Sequence, residues 1–142
     1  MFRRLRAIVN LESLDTFVVD SMKETEQELL NLLRSQLSQG ERGDGQMPQY
    51  ANEKYAQYKQ RIGSEAPFGV VDLKLSGDFQ RKLRLIITKT GARIRSYDKK
   101  RSELLNKYSK EIYELNSENI SVYVKEIFFP VLMKKIKDGM FK

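Results

Sequence analysis

The sequence predicts an α+β fold, with a long N-terminal helix and C-terminal helices packed on a small antiparallel β-sheet. Three observations carry this expectation. Apolar residues recur at helical spacing from Ser13 to Gln39. The segment ITKTGARI reads as a β-hairpin joining two strands. A second helical pattern fills the C-terminal end, where Ile120, Val124, Ile127, Phe128, Val131, Leu132 and Ile136 share a face. The order helix, helix, strands, helix, helix suits a small sheet covered by helices.

The opening MFRRLRAIVN is basic and then apolar. Its apolar part is too short for a secretory signal, so it reads as a short strand or lead-in arm. In the first helix Leu14, Phe17, Val18, Met22, Thr25, Leu29, Leu32, Leu33 and Leu37 form the apolar stripe. Ser13 is its expected N-cap, Asp15 suits the first turn, and Gly40 ends it. At ~1.5 Å per residue the helix would be roughly 40 Å long. GERGDGQMP then predicts a flexible loop over 40–48, rich in glycine and charge. Arg42, Asp44 and Met47 are its candidate contact residues. Arg42, Gly43 and Asp44 also spell RGD, a tripeptide short enough to arise by chance.

A second helix is expected over Gln49 to Arg61, with Tyr50, Tyr55, Tyr58 and Ile62 on one face and Gly63 as its stop. Pro67 keeps the following GSEAPFG a loop. Val70 to Leu75 alternates as a strand, placing Asp72 and Lys74 on its polar side. The turn Ser76, Gly77 and Asp78 breaks it, because Gly77 takes positive φ without penalty and its neighbours can bond nearby amides. One helical turn from Asp78 to Lys82 would then bury Phe79. Strands follow over Leu83 to Thr88 and Ala92 to Tyr97, turning at Thr90 and Gly91. A third helix is expected over Lys100 to Glu114, after which Asn116 and Ser117 break and recap the chain. The last helix begins near Glu118, with a kink near Phe129 imposed by Pro130. Residues 137–142 read as a frayed tail. Together, 1–142 reads as a single domain without repeats.

Composition narrows the chemistry. The chain has no cysteine and no histidine, which removes disulfides, thiolate metal sites and the commonest acid–base residue. No phosphate loop or nucleophile elbow occurs, and the carboxylates are scattered. No catalytic, cofactor-binding or metal-binding residues are therefore nominated, and no enzyme activity is expected. The net charge of +7 and pI near 9.6 suit either an anionic partner or simple solubility. Lys82, Arg84, Arg93 and Arg95 form a candidate charged face if the hairpin pairs as drawn, with Lys99, Lys100 and Arg101 directly after it. No segment reaches the ~20 apolar residues of a membrane span.

The stretch VDLKLSGDFQRKLRL, followed by a hairpin, resembles a pattern in head–tail connector and tail-completion (neck) proteins of tailed phages. That pattern is an apolar strand ending in Leu-Ser/Thr-Gly, then an aromatic or Leu, a basic residue and a further apolar one. Leu75, Ser76, Gly77, Phe79, Lys82 and Leu83 stand at those positions. Upstream, YANEKYAQYKQRIG is similar to a helix with Tyr and Lys. Downstream, KYSKEIYELNSENI resembles the "KYG..I(F/Y)GL" segment of such proteins from phages of Bacteroides-like hosts. Ser109 and Glu114 stand where that segment often carries glycine. The resemblance spans roughly Tyr50 to Ile120. It implies a virion structural protein assembled in the bacterial host cytoplasm. Its expected partners are a homo-oligomeric ring and the portal, connector or tail proteins, with possible DNA contact in the channel. The alternatives are a small basic nucleic-acid-binding protein and, third, an enzyme using Lys, Tyr or carboxylates.

Overall fold

A computed structural model describes residues 11–74, 77–89 and 91–140. The lead-in arm, Leu75, Ser76, Thr90 and the last two residues lie outside them. The class is α+β: helices combined with two small antiparallel sheets. The chain divides into two compact units, residues 1–29 with 121–142, and residues 30–120.

In the first unit, helix α1 (Leu11–Glu24) packs against the C-terminal helix α7 (Phe129–Met140). Glu24 and Lys135 pair between them at 2.7 Å. The single long N-terminal helix expected from the spacing is interrupted. Helix α2 (Glu26–Ser38) begins only after a break at Thr25. The cause is local: the Thr25 hydroxyl bonds back to the Ser21 carbonyl at 2.7 Å, and Ser21 does the same to Phe17 at 2.6 Å. Such back-bonding competes with the regular ladder and bends helices. Thr25 also meets the Tyr123 hydroxyl at 2.9 Å, which satisfies both buried groups. Helix α1 already includes Ser13, so that residue lies inside the first turn rather than capping it.

The C-terminal helix shows how a proline is absorbed. Short helix α6 (Ser117–Val122) continues into a π-helical segment, Tyr123–Phe128, before α7 starts at Phe129. The Phe129 amide reaches back to the Val124 carbonyl, one residue further than in an α-helix. Pro130 offers no amide and crowds the turn before it, and the widened turn accommodates both effects. Helix α7 runs on to Met140, into the segment expected as a frayed tail.

The second unit holds the sheets. Gly40 ends α2 at φ +79°, its amide on the Leu37 carbonyl. A Cβ there would stand 2.5 Å from Val70 Cγ1, so both conformation and space demand glycine. The expected flexible loop instead carries a tight hairpin, β1 (Glu41–Arg42) with β2 (Gly45–Gln46). Asn52 caps helix α3 (Glu53–Arg61), accepting from the amides of Lys54 at 2.9 Å and Tyr55 at 3.3 Å.

Of the strand expected over Val70 to Leu75, the described part, Val70 to Lys74, is not formed. Val70 makes only an isolated bridge to Gln49. Two features explain this: the Asp72 carboxylate accepts from the Lys74 amide at 3.1 Å, and Leu73 sits at φ +51°. A local turn thus replaces the ladder. Beyond it, Gly77 at φ +78° opens the four-residue helix α4 (Asp78–Arg81), which buries Phe79 as anticipated.

Strands β3 (Leu83–Thr88) and β4 (Gly91–Ser96) pair antiparallel. Helix α5 (Arg101–Tyr108) stops at Ser109, and a 3₁₀ turn, Lys110–Tyr113, replaces the rest of the expected third helix. Asn116 recaps the chain, its side chain accepting from the Asn119 amide at 2.8 Å. Gln36, almost fully buried, fixes this corner by donating to the Glu114 carbonyl and accepting from the Asn116 amide. The core of this unit centres on Leu30, Leu33, Leu37, Leu83 and Ile112, all 0% exposed.

Candidate functional site

Two surfaces of the second unit concentrate charged side chains. The first is the outer face of the β3–β4 hairpin. Residues alternate across a strand, so the pairing register decides which share a face. Arg84 stands opposite Arg95, and Ile86 opposite Arg93. These four therefore share one face, and Leu83, Leu85, Ile94 and Ser96 share the other. Arg84, Arg93 and Arg95 come together as expected. Lys82 lies just outside β3 as the C-cap of α4. Its carbonyl accepts from the Tyr97 amide, and its ammonium stands 3.6 Å from Asp98.

The same face gains further residues, among them Tyr97, which the sequence did not single out. The Tyr97 ring is half exposed, with the guanidiniums of Arg95 and Arg101 over it at 5.7 and 5.9 Å. Such contacts hold an arginine head in place while leaving its charge unneutralised. Arg84 donates to the carbonyls of Arg81 and Leu83, which fixes its side chain along the strand. Arg34 donates to the Gln80 carbonyl at 2.9 Å. Burial first, and then the neighbouring charge of Arg84, lower its pKa from the ordinary arginine value. Among the described residues, Arg84, Arg93, Arg95 and Arg101 form no ion pair.

The second surface is a cleft of about 470 Å³. Tyr50, Tyr55 and Tyr108 give it aromatic walls, and Lys59, Lys74, Lys100 and Lys107 bring ammonium groups. At its base Lys59 and Asp72 form an ion pair at 2.7 Å, both side chains almost completely buried. Burial alone would raise the Asp72 pKa. Hydrogen bonds from Lys59 and Ser64, with the Lys59 charge, overcome it and hold the carboxyl below its ordinary value. Burial and then the Asp72 charge push the Tyr50 hydroxyl well up. The carboxylates here are occupied: Asp72 accepts from Ser64 at 2.7 Å, and Asp98 from the Lys100 amide at 3.2 Å. The sequence offered a partial signal, since Tyr55 and Lys59 are one helical turn apart. The burial of Asp72 had none, because alternation placed it on a solvated strand face.

The remaining nominated residues are scattered. Arg42 pairs with Asp44 at 2.8 Å and donates to the Tyr108 carbonyl at 2.8 Å. The RGD arginine and aspartate thus engage each other. Met47, expected in a contact loop, is 2% exposed and belongs to the core, drawn in where its amide donates to the Gly40 carbonyl. Gly77 and Asp78 serve the backbone turn, with Asp78 paired to Arg81, while Ser76 lies outside the described residues. No group of three or more His, Cys, Asp or Glu suited to a metal ion occurs among the described residues. Nor is any helix among them long and apolar enough to cross a membrane. No protein-family model, curated protein or solved structure matches the chain.

Proposed function

We propose that this chain is a structural subunit of a tailed-phage neck, a ring-forming head–tail connector or tail-completion protein that works by binding other proteins. One observation carries the reading. The neck segments that the chain resembles often have glycine after Lys-Tyr, where this chain has Ser109. The backbone at Ser109 nonetheless adopts φ +67° and ψ 177°. That region is essentially reserved for glycine. Ser109 thus holds a conformation that a glycine at this position would adopt without strain.

Two further features support it. Phe79, from the first half of the resemblance, stacks on Tyr113, from the second, at 5.9 Å. The two halves of the resemblance are thus in direct contact. Each compact unit also exposes an apolar pair one helical turn apart, Tyr58 with Ile62 in one and Phe129 with Met133 in the other. A head-to-tail ring requires two different, complementary surfaces on each subunit, and exposed apolar groups are the usual markers of such contacts. On this reading the protein is a virion component, assembled in the cytoplasm of a bacterial host, that performs no catalysis.

Mass photometry tests it, with the chain alone and mixed with the proteins encoded beside it. Wild type should form multimers, alone or in the mixture. Phe129→Glu with Met133→Glu, and separately Tyr58→Glu with Ile62→Glu, should abolish them while each variant keeps its fold by circular dichroism. Multimers that survive both pairs of substitutions would rule out these surfaces as the ring contacts.

A further inference from the structure

We propose that the arginine face of the β3–β4 hairpin binds the phosphate backbone of a nucleic-acid duplex. The face would serve in this way whether the chain works in a ring or as a free subunit. From Leu83 to Tyr97 the chain contains no acidic residue. Arg84 and Arg95 are direct cross-strand partners. Like charges placed so are destabilising, and Arg34 adds a further positive charge beside Arg84. An anion bound across the face relieves that repulsion. Successive residues on one face of a strand stand roughly 7 Å apart, so Arg93 and Arg95 present their heads as a row along the ribbon.

The chemistry favours phosphate over an acidic protein surface. Protein interfaces bury an apolar centre, and among the hairpin pairs this face offers only Ile86, itself partly covered. Arginine forks engage phosphate through paired hydrogen bonds. The chemistry also favours a duplex over a single strand. Single strands are held by bases stacked on open aromatic rings, whereas the Tyr97 ring already supports the guanidiniums of Arg95 and Arg101. A twisted two-stranded ribbon is, in addition, a shape that a major groove admits.

Fluorescence anisotropy with a 30-base-pair DNA duplex between 50 and 200 mM KCl is the test. Each lost phosphate contact lowers the slope of log affinity against log salt by about 0.9. Arg84→Gln, Arg93→Gln and Arg95→Gln together should therefore reduce it by about 2.7. Over this fourfold salt range that is about 40-fold less loss of affinity than wild type shows. A control with Lys54, Lys125 and Lys137 changed to Gln removes the same charge elsewhere and should keep the wild-type slope. Arg93→Gln alone, at an exposed position, should lower the slope by about 0.9 and serves if the triple variant folds poorly. Equal slopes for the arginine and lysine variants would overturn the proposal. So would tighter binding of polyglutamate, or of a single strand, than of the duplex.

Discussion

Replacing Ser109 by glycine should stabilise the protein, although glycine ordinarily weakens a fold. The residue links α5 to the 3₁₀ turn, its amide on the Leu105 carbonyl and its carbonyl accepting from the Ile112 amide. At φ +67° and ψ 177° a residue with a Cβ carries strain of about 1–3 kcal/mol. Glycine removes that strain but costs roughly 0.5–1 kcal/mol through the greater freedom of its unfolded chain. It also gives up the exposed hydroxyl contact from Ser109 to Glu111. Taking about 2 kcal/mol of strain against about 1 kcal/mol of entropy leaves a net gain of about 1 kcal/mol. With a urea slope near 2 kcal/mol per M, the midpoint should rise by about 0.5 M. Ser109→Ala is the control, because it loses the same exposed hydroxyl contact and keeps the strain, so it should show none of that gain. Urea titration followed by circular dichroism measures all three proteins. A glycine variant no more stable than the alanine variant would refute the reasoning, and with it the structural support for the neck resemblance.

The other expectations concern the cleft base and two glycines. Lys59→Met leaves Asp72 buried without its cation, though still bonded to Ser64 and the Lys74 amide. Breaking a buried pair costs about 3–5 kcal/mol, and the retained bonds argue for the lower end. The pH dependence has a defined sign. The folded Asp72 pKa lies below its ordinary 3.8, so in wild type its contribution is present above that pH and is lost as pH falls through the folded value. In the Met variant the desolvated carboxyl titrates higher and gains from protonation, so the deficit should shrink as the pH approaches 4. Urea midpoints at pH 7 and pH 4 check this, and a deficit that is constant across that range counts against it. Gly40→Ala and Gly77→Ala share nearly the same positive φ but differ in space: a Cβ at Gly77 meets nothing within 4 Å. Gly77→Ala should cost about 1–2 kcal/mol. Gly40→Ala should cost about 1–3 kcal/mol more, because Val70 must move. Equal costs by denaturant titration would contradict the packing described around Gly40.

The parts of this fold that were legible in the sequence are those fixed by local patterning. Strand β3 runs from Leu83 to Thr88 as its apolar run and the hairpin turn after it indicated, and its register brings Arg84, Arg93 and Arg95 to one face. The turn at Gly77, the helical step that buries Phe79 and the recapping at Asn116 also follow from nearby residues. What stayed hidden depends on contacts distant in sequence. Asp72 is buried because Lys59 and Ser64 reach it from the preceding helix and loop, and no period in Val70–Leu75 encodes that. Met47 enters the core because hydrogen bonds from a two-residue hairpin turn the glycine-rich segment inward. The break at Thr25 is local but equally hidden, because it reflects hydroxyl back-bonds at Ser21 and Thr25 that an apolar stripe cannot reveal. The cleft joins Tyr50 and Tyr55 to Tyr108 across more than fifty residues of chain, beyond the reach of any motif.

Electron microscopy of the chain expressed together with the genes flanking its own shows whether it builds a ring. Closed rings that contain several copies of this subunit, seated on a portal or a tail end, are expected. A chain that purifies as a single copy from every such combination, with no ring in any class average, would contradict that expectation.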